Sequence, residues 1–341
     1  MSMTLKPVVG GSVVALVTPM TPDNKIDYPK LVEILEWHMS EKTDGAVILG
    51  TTGEASMISM AERTEIIKLA VSTVNKKFPI IVGTGTIEGS KVIELSQNAL
   101  DNGADASLII TPYYVKPPQR ALVTHFKSIA DAVPLPMIVY NCPGRTGVDL
   151  KPETVGQFAD HPYIIGIKDA TGDLGRVKAL REACGEDFLL YSGEDDNGCK
   201  FVEIGGDGVI SVTANVAPGW MHKMMMLSKQ GDSVEAERIN DLLMLLHQRY
   251  KKSFHHHHHF FFFFSFLFSS DNNPTNATTN NKQQTTNNKH DRLFLESNPI
   301  PVKRALQLMG KINMGIRPPL DNMADEYLDS LQEALANLKK L

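Results

Sequence analysis

The stretch Tyr163-Ile-Ile-Gly-Ile-Lys-Asp-Ala-Thr-Gly172 runs from apolar residues straight into one lysine, Lys168, and then into a polar turn. That order reads as a buried strand whose carboxyl end carries a cation. An ammonium in an apolar setting is costly, so burial lowers the lysine pKa and frees a nucleophilic amine. Many lysines at strand ends simply reach solvent, so the surrounding chain has to decide between the two readings. It repeats the same pattern. Apolar runs at 12–17, 45–50, 80–83, 106–111, 137–141, 164–168, 188–192 and 208–212 alternate with helical spacing at 28–40, 61–74, 90–102, 119–132, 151–159, 174–184 and 197–204. Strands this short and this uniformly apolar are buried on both faces. Eight of them alternating with helices predict an α/β fold, a (β/α)8 TIM barrel, whose catalytic groups gather at the carboxyl ends of the strands. A doubly wound sheet would carry a glycine fingerprint after its first strand. Here that strand ends in Thr18-Pro19, and the glycine-rich stretch Gly83-Thr-Gly-Thr-Ile-Glu-Gly89 follows the third strand without dinucleotide spacing.

Beyond residue 212 the pattern is helical only, at 217–230, 233–250, 300–310 and 325–340. This predicts a C-terminal helical appendage on the barrel. A low-complexity segment interrupts it, with His255 to His259, Phe260 to Phe264 and then asparagine, threonine and glutamine tracts. Its apolar block is too short to span a bilayer, and a histidine run without partners specifies no metal geometry. Asn276-Ala-Thr278 matches a glycosylation acceptor, which means little without a secretory signal. The segment reads as a disordered insertion. The expected layout is a catalytic barrel over 1–225, a helical region over 226–250 and 293–341, and the insertion over 251–292.

Bulk properties narrow the function. A hydrophobic fraction of 42% with 21% charged residues suits a soluble globular chain with a substantial core. The formal net charge of −5 gives no electrostatic footprint for nucleic acid or an anionic membrane. Cys142, Cys184 and Cys199 lack paired spacing and point to a reducing compartment. Met1-Ser-Met-Thr-Leu-Lys-Pro-Val has no basic region followed by an apolar core, so the expected location is the cytoplasm.

The residues that follow each strand share one barrel mouth. After the second comes Gly50-Thr-Thr-Gly-Glu54, two hydroxyls and a glycine turn suited to a carboxylate. After the fourth comes Thr111-Pro-Tyr-Tyr114, and after the fifth Tyr140-Asn-Cys-Pro-Gly-Arg-Thr146. Each has a bland explanation, since tyrosine caps cores and arginine decorates loops. Together with Lys168 they are what Schiff-base chemistry on a keto acid needs: an amine, proton-relaying phenols, a carboxylate cradle and a guanidinium. No cluster of His, Asp and Glu suits a metal-dependent aldolase. Glu194-Asp-Asp-Asn197 lacks the spacing of a calcium loop and reads as a polar rim. His38, His125 and His222 fall in helical patterns and read as core or surface residues. Pyridoxal phosphate would suit a reactive lysine, but no phosphate cup is evident, so neither metal nor cofactor is expected.

With these motifs in order, joined by Gly208-Val-Ile-Ser-Val-Thr-Ala-Asn215 and Asn298-Pro-Ile-Pro-Val-Lys303, the chain resembles the dihydrodipicolinate synthase family of pyruvate-dependent class I aldolases. The resemblance runs from about Gly11 to the C-terminus, broken only by the insertion. It implies that Lys168 forms the Schiff base with pyruvate. It implies that Thr51, Tyr114 and Tyr140 form the proton relay, with Tyr114 reaching in from a neighbouring subunit of a homotetramer. Thr51 and Thr52 would hold the pyruvate carboxylate and Arg145 that of L-aspartate 4-semialdehyde, while Gly193 and Ile210 would line the pyruvate pocket. The product would be 4-hydroxy-tetrahydrodipicolinate, on the diaminopimelate route to lysine. Members of the family inhibited by lysine carry histidine, asparagine and glutamate where this chain has Met60, Arg63, Ile87 and Lys91, with Tyr113 retained, so inhibition by lysine is expected to be weak or absent. Two other readings stay open: a sister lyase acting on N-acetylneuraminate or a keto-deoxy sugar, and an inactive barrel that binds keto acids. Arg145 argues against the first, because a polyhydroxylated chain wants hydroxyl partners. The complete set of Lys168, Thr51, Tyr114, Tyr140 and Arg145 argues against the second.

Overall fold

Parallel pairing in chain order, with the last strand returning to the first, gives a closed barrel of eight strands. They are β1 (Ser12–Ala15), β2 (Gly45–Ile48), β3 (Ile80–Gly83), β4 (Ala106–Ile110), β5 (Met137–Asn141), β6 (Ile164–Asp169), β7 (Leu189–Ser192) and β8 (Gly208–Ser211). The structure, a computed structural model, describes residues 10–247 and 295–338. The uniform apolarity of the strands has a direct cause. Val13, Val47, Ile81, Leu108, Ile138, Tyr191 and Ile210 pack inside the barrel, while Val14, Ile48, Ile80 and Val82 pack outward among helical residues. Closure is reinforced at the β8–β1 seam. Asn215 accepts from Val17 N at 3.1 Å and donates to the Ala15 carbonyl at 2.8 Å and to the Val212 carbonyl at 2.9 Å, giving the chain just beyond β1 and β8 partners outside the ladder.

The helices between strands are α1 (Tyr28–Ser40), α2 (Met60–Val74), α3 (Gly89–Asp101), α4 (Gln119–Ala132), α5 (Pro143–Thr146), α6 (Pro152–Val155), α7 (Gly175–Cys184) and α8 (Gly198–Glu203). Two depart from expectation. The helix expected over 151–159 is only α6, ending against Gly156, where a side chain would meet the Ala183 carbonyl at 2.9 Å. The unexpected α5 is a single turn nucleated by Pro143, whose fixed φ suits a first helical position.

Four more helices follow: α9 (Pro218–Gln230), α10 (Ser233–His247), α11 (Ile300–Leu308) and α12 (Leu328–Leu338), the last preceded by a 3₁₀ turn at Asp325–Tyr327. This is the expected C-terminal helical appendage, and it packs on the outside of the barrel. One apolar cluster joins Val14 and Leu16 of the barrel to Met221, Ile239, Leu306 and Leu331. We propose a layout of a catalytic barrel over 1–225 followed by a helical region over 226–250 and 293–341. The insertion over 251–292, with its histidine and phenylalanine runs and Asn276, lies outside the described residues. Among the described residues, no helix is long and apolar enough to cross a membrane.

Candidate active site at the barrel mouth

Lys168 sits near the end of β6, in register with Tyr140 of β5 on one side and Tyr191 of β7 on the other. It is 6% exposed, and its Nζ lies 4.6 Å from the centre of the Tyr140 ring. Burial pulls its pKa down to about 8, against the upward pull of Cys142, Asp195 and Glu194. A neutral amine is therefore accessible near neutral pH. Burial drives the Tyr140 phenol the other way, well above its ordinary value, with Cys142 adding to the effect and Arg145 opposing it. The phenol stays protonated and can pass a proton on. A glycine makes room for the lysine: a Cβ on Gly193 would stand 3.0 Å from Lys168 Cε and 2.5 Å from Ala170 Cβ. Ile210, 1% exposed, belongs to the apolar layer inside the barrel with Tyr140 and Cys142.

The loops beside Lys168 are tied to one another. Asp169, the next residue, accepts from Arg176 Nε at 2.9 Å, and Arg176 also donates to the Leu150 carbonyl at 2.7 Å. Asn141, at the end of β5, donates to Asp149 at 3.0 Å and accepts from Leu150 N at 2.9 Å. Buried side chains thus fix the strand ends that carry Tyr140 and Lys168.

The Thr51-Thr52 turn is held from several directions. Glu54 N donates to the Thr51 carbonyl at 3.1 Å, and Thr18 Oγ1 donates to the Gly53 carbonyl at 2.7 Å. Glu54 adopts a left-handed φ of 56° and is buried, paired with Lys303 of α11. Its second oxygen accepts from Arg317 N at 3.0 Å, and the Arg317 guanidinium grips Glu62 at 2.5 and 2.9 Å. Thr52, 3% exposed, accepts at 2.9 Å from the side-chain amide of Asn298. The same Asn298 takes Arg145 Nη2 on its backbone carbonyl at 3.3 Å, so it touches both expected carboxylate-binding residues. Arg145 itself is exposed on α5, at the rim.

The structure therefore brings Lys168, Tyr140, Gly193 and Ile210 together inside the barrel end, with Thr51, Thr52 and Arg145 on its loops. Tyr114 is the exception within a single chain. It is 86% exposed with a φ of 71°, standing out in solvent while Tyr113 turns back to within 3.4 Å of Thr86. Sequence reading assigned no role to Asn298, Lys303 or Cys142. The first two lie in a motif that carried the resemblance, and the third in the stretch between Tyr140 and Arg145. Arg63, one of the residues at the family's lysine-inhibition positions, is buried and donates to the carbonyls of Gly83 and Ala55. Lys91 pairs with Glu94 at the surface. Among the described residues, no group of three His, Cys, Asp or Glu is placed to hold a metal ion.

The chain as a whole is similar to known proteins. The pattern that defines the "Dihydrodipicolinate synthetase family" matches residues 8–257 and 265–338. The 4-hydroxy-tetrahydrodipicolinate synthase of Coxiella burnetii is 44% identical over 325 residues, covering 95% of this chain and 96% of that one. That of Methylococcus capsulatus is 42% identical over 327 residues, covering 96% and 98%. A crystal structure of the chloride-inhibited dihydrodipicolinate synthase from Acinetobacter baumannii, complexed with pyruvate, superposes with a TM-score of 0.82 at 41% identity and covers 98% of this chain and 100% of that one.

Proposed function

The chain belongs to the dihydrodipicolinate synthetase family, and from that premise we propose how its own residues carry the family's reaction. The reaction is a lyase condensation of pyruvate with L-aspartate 4-semialdehyde, giving 4-hydroxy-tetrahydrodipicolinate on the route to lysine. The observation that carries our assignment is Lys168, buried at the end of β6 with its pKa lowered to about 8.

Thr51 and Thr52 hold the pyruvate carboxylate and aim the ketone at Lys168 Nζ. The neutral amine adds to the carbonyl carbon, and loss of water leaves an iminium. The iminium accepts the electron pair released when a proton leaves the neighbouring methyl group. The resulting enamine attacks the aldehyde carbon of the second substrate, whose carboxylate Arg145 receives. The substrate's own amine then adds to the iminium carbon, closes the ring and releases Lys168. Tyr140 moves protons at the imine, within reach of the lysine it covers, and Thr51 and Tyr114 complete the relay.

Tyr114 supplies nothing to Lys168 within one chain, so we propose that it acts in a neighbouring subunit's mouth, in a homotetramer. With its three cysteines free, we place the protein in the reducing cytoplasm. With Met60, Arg63, Ile87 and Lys91 standing where lysine-inhibited members carry histidine, asparagine and glutamate, inhibition by lysine is weak or absent. The assignment is tested by offering the protein pyruvate with L-aspartate 4-semialdehyde and, separately, N-acetylneuraminate. Turnover of the first pair alone is expected. Cleavage of the sugar acid without condensation would overturn it.

A further inference from the structure

Asn298 belongs to the segment that follows the insertion, yet the residue is only 8% exposed and its side chain bonds to the loop of β2. It is 246 positions from Thr52 and 153 from Arg145, and it bonds to both. We propose that Asn298 is a positioning residue that fixes the donor direction of the Thr52 hydroxyl and anchors the Arg145 guanidinium, so that one residue orients both substrate carboxylate contacts. The inference rests on the reading of Thr52 and Arg145 as carboxylate holders.

A side-chain NH₂ can only donate, so the Thr52 oxygen must accept from Asn298 Nδ2. The hydroxyl proton is then free for a different acceptor. A hydroxyl without such a partner rotates and can satisfy itself on nearby carbonyls, which would remove it from the cradle. At Arg145 the contact uses one N–H of five and a backbone carbonyl, leaving the rest of the fork for a carboxylate. A residue kept only for packing gives no reason for a buried polar atom to go unpaired. Asn298 Oδ1 is buried and has no hydrogen-bond partner among the described residues. The loop that carries Thr52 is held a second time from the same segment, by Lys303 on Glu54, so the direction set by Asn298 acts on a fixed turn.

The test compares N298D with N298A in the full chain. Aspartate keeps the volume but can only accept, so it captures the Thr52 proton and sets a negative charge beside both substrate carboxylates. N298D is expected to raise KM for pyruvate and for the semialdehyde by roughly tenfold or more each, with a smaller fall in kcat. N298A removes the donor to Thr52 without adding charge and leaves the Arg145 contact on the backbone carbonyl in place, so its KM values rise less. A packing role predicts the opposite order, because alanine leaves a hole and aspartate does not. An aspartate variant milder than the alanine one, or unchanged KM in both, overturns the proposal. If N298D fails to fold, N298A and N298S are read in its place: raised KM with kcat retained upholds the proposal, and unchanged KM overturns it. Unmutated protein that turns over neither substrate would instead defeat the functional reading on which this rests.

Discussion

Lys168 has to be neutral to attack a ketone, and the barrel makes it so by taking the charge out of water. Its pKa is lowered, so the reactive form is the one present above the folded value and lost as pH falls below it. With a pKa of about 8, roughly a tenth of the amine is neutral at pH 7 and roughly nine-tenths at pH 9. The expected outcome is a kcat/KM for pyruvate that climbs about tenfold across that interval and levels off above it. A profile still climbing at the ordinary lysine pKa would show that burial does not tune this group. Lys168 was legible in the sequence because strand, lysine and polar turn are adjacent, and Tyr140, Thr51, Thr52 and Arg145 because they lie at or just after the ends of the second and fifth strands. Asn298 was not. Its role arises from a contact with a residue 246 positions away, which no local pattern encodes.

At the scale of elements, the loop after β2 depends on a helix from the other end of the chain. Lys303 of α11 and Glu54 form a pair with side chains 6% and 0% exposed. Burial lowers the Lys303 pKa, and the Glu54 carboxylate holds it up. Removing one partner leaves the other buried without its counter-charge. Lys303→Met should therefore lose about 3–5 kcal/mol of stability by denaturant titration. The double variant with Glu54→Gln should recover much of that loss. A single variant within about 1 kcal/mol of the parent would mean that the pair is dispensable. The strands were readable because parallel barrel strands are apolar on both faces. The short helices were not, since α5 depends on Pro143 at a loop corner and α6 on where Gly156 meets Ala183. The C-terminal helices were placed correctly by their spacing. Their service to the active site was hidden, because helical periodicity reports a buried face and not what that face is buried against.

The whole molecule is a barrel whose mouth is finished by residues from outside its strands: Asn298 and Lys303 from the helical region and, we propose, Tyr114 from a neighbour. If so, two inactive variants should complement each other. Lys168→Ala and Tyr114→Phe, each weak alone, should regain activity when refolded together, since a mixed assembly holds some sites with both groups intact. Additive activity without gain would confine Tyr114 to its own chain. The oligomer was never legible in composition, only in a tyrosine that the fold leaves 86% exposed. The claim on which all of this turns is the imine at Lys168. Incubation with pyruvate, reduction with borohydride and mapping of the peptides by mass should find a reduced pyruvyl adduct on Lys168, and none when Lys168 is replaced by alanine. An unmodified Lys168, or an adduct on another lysine, would contradict the account.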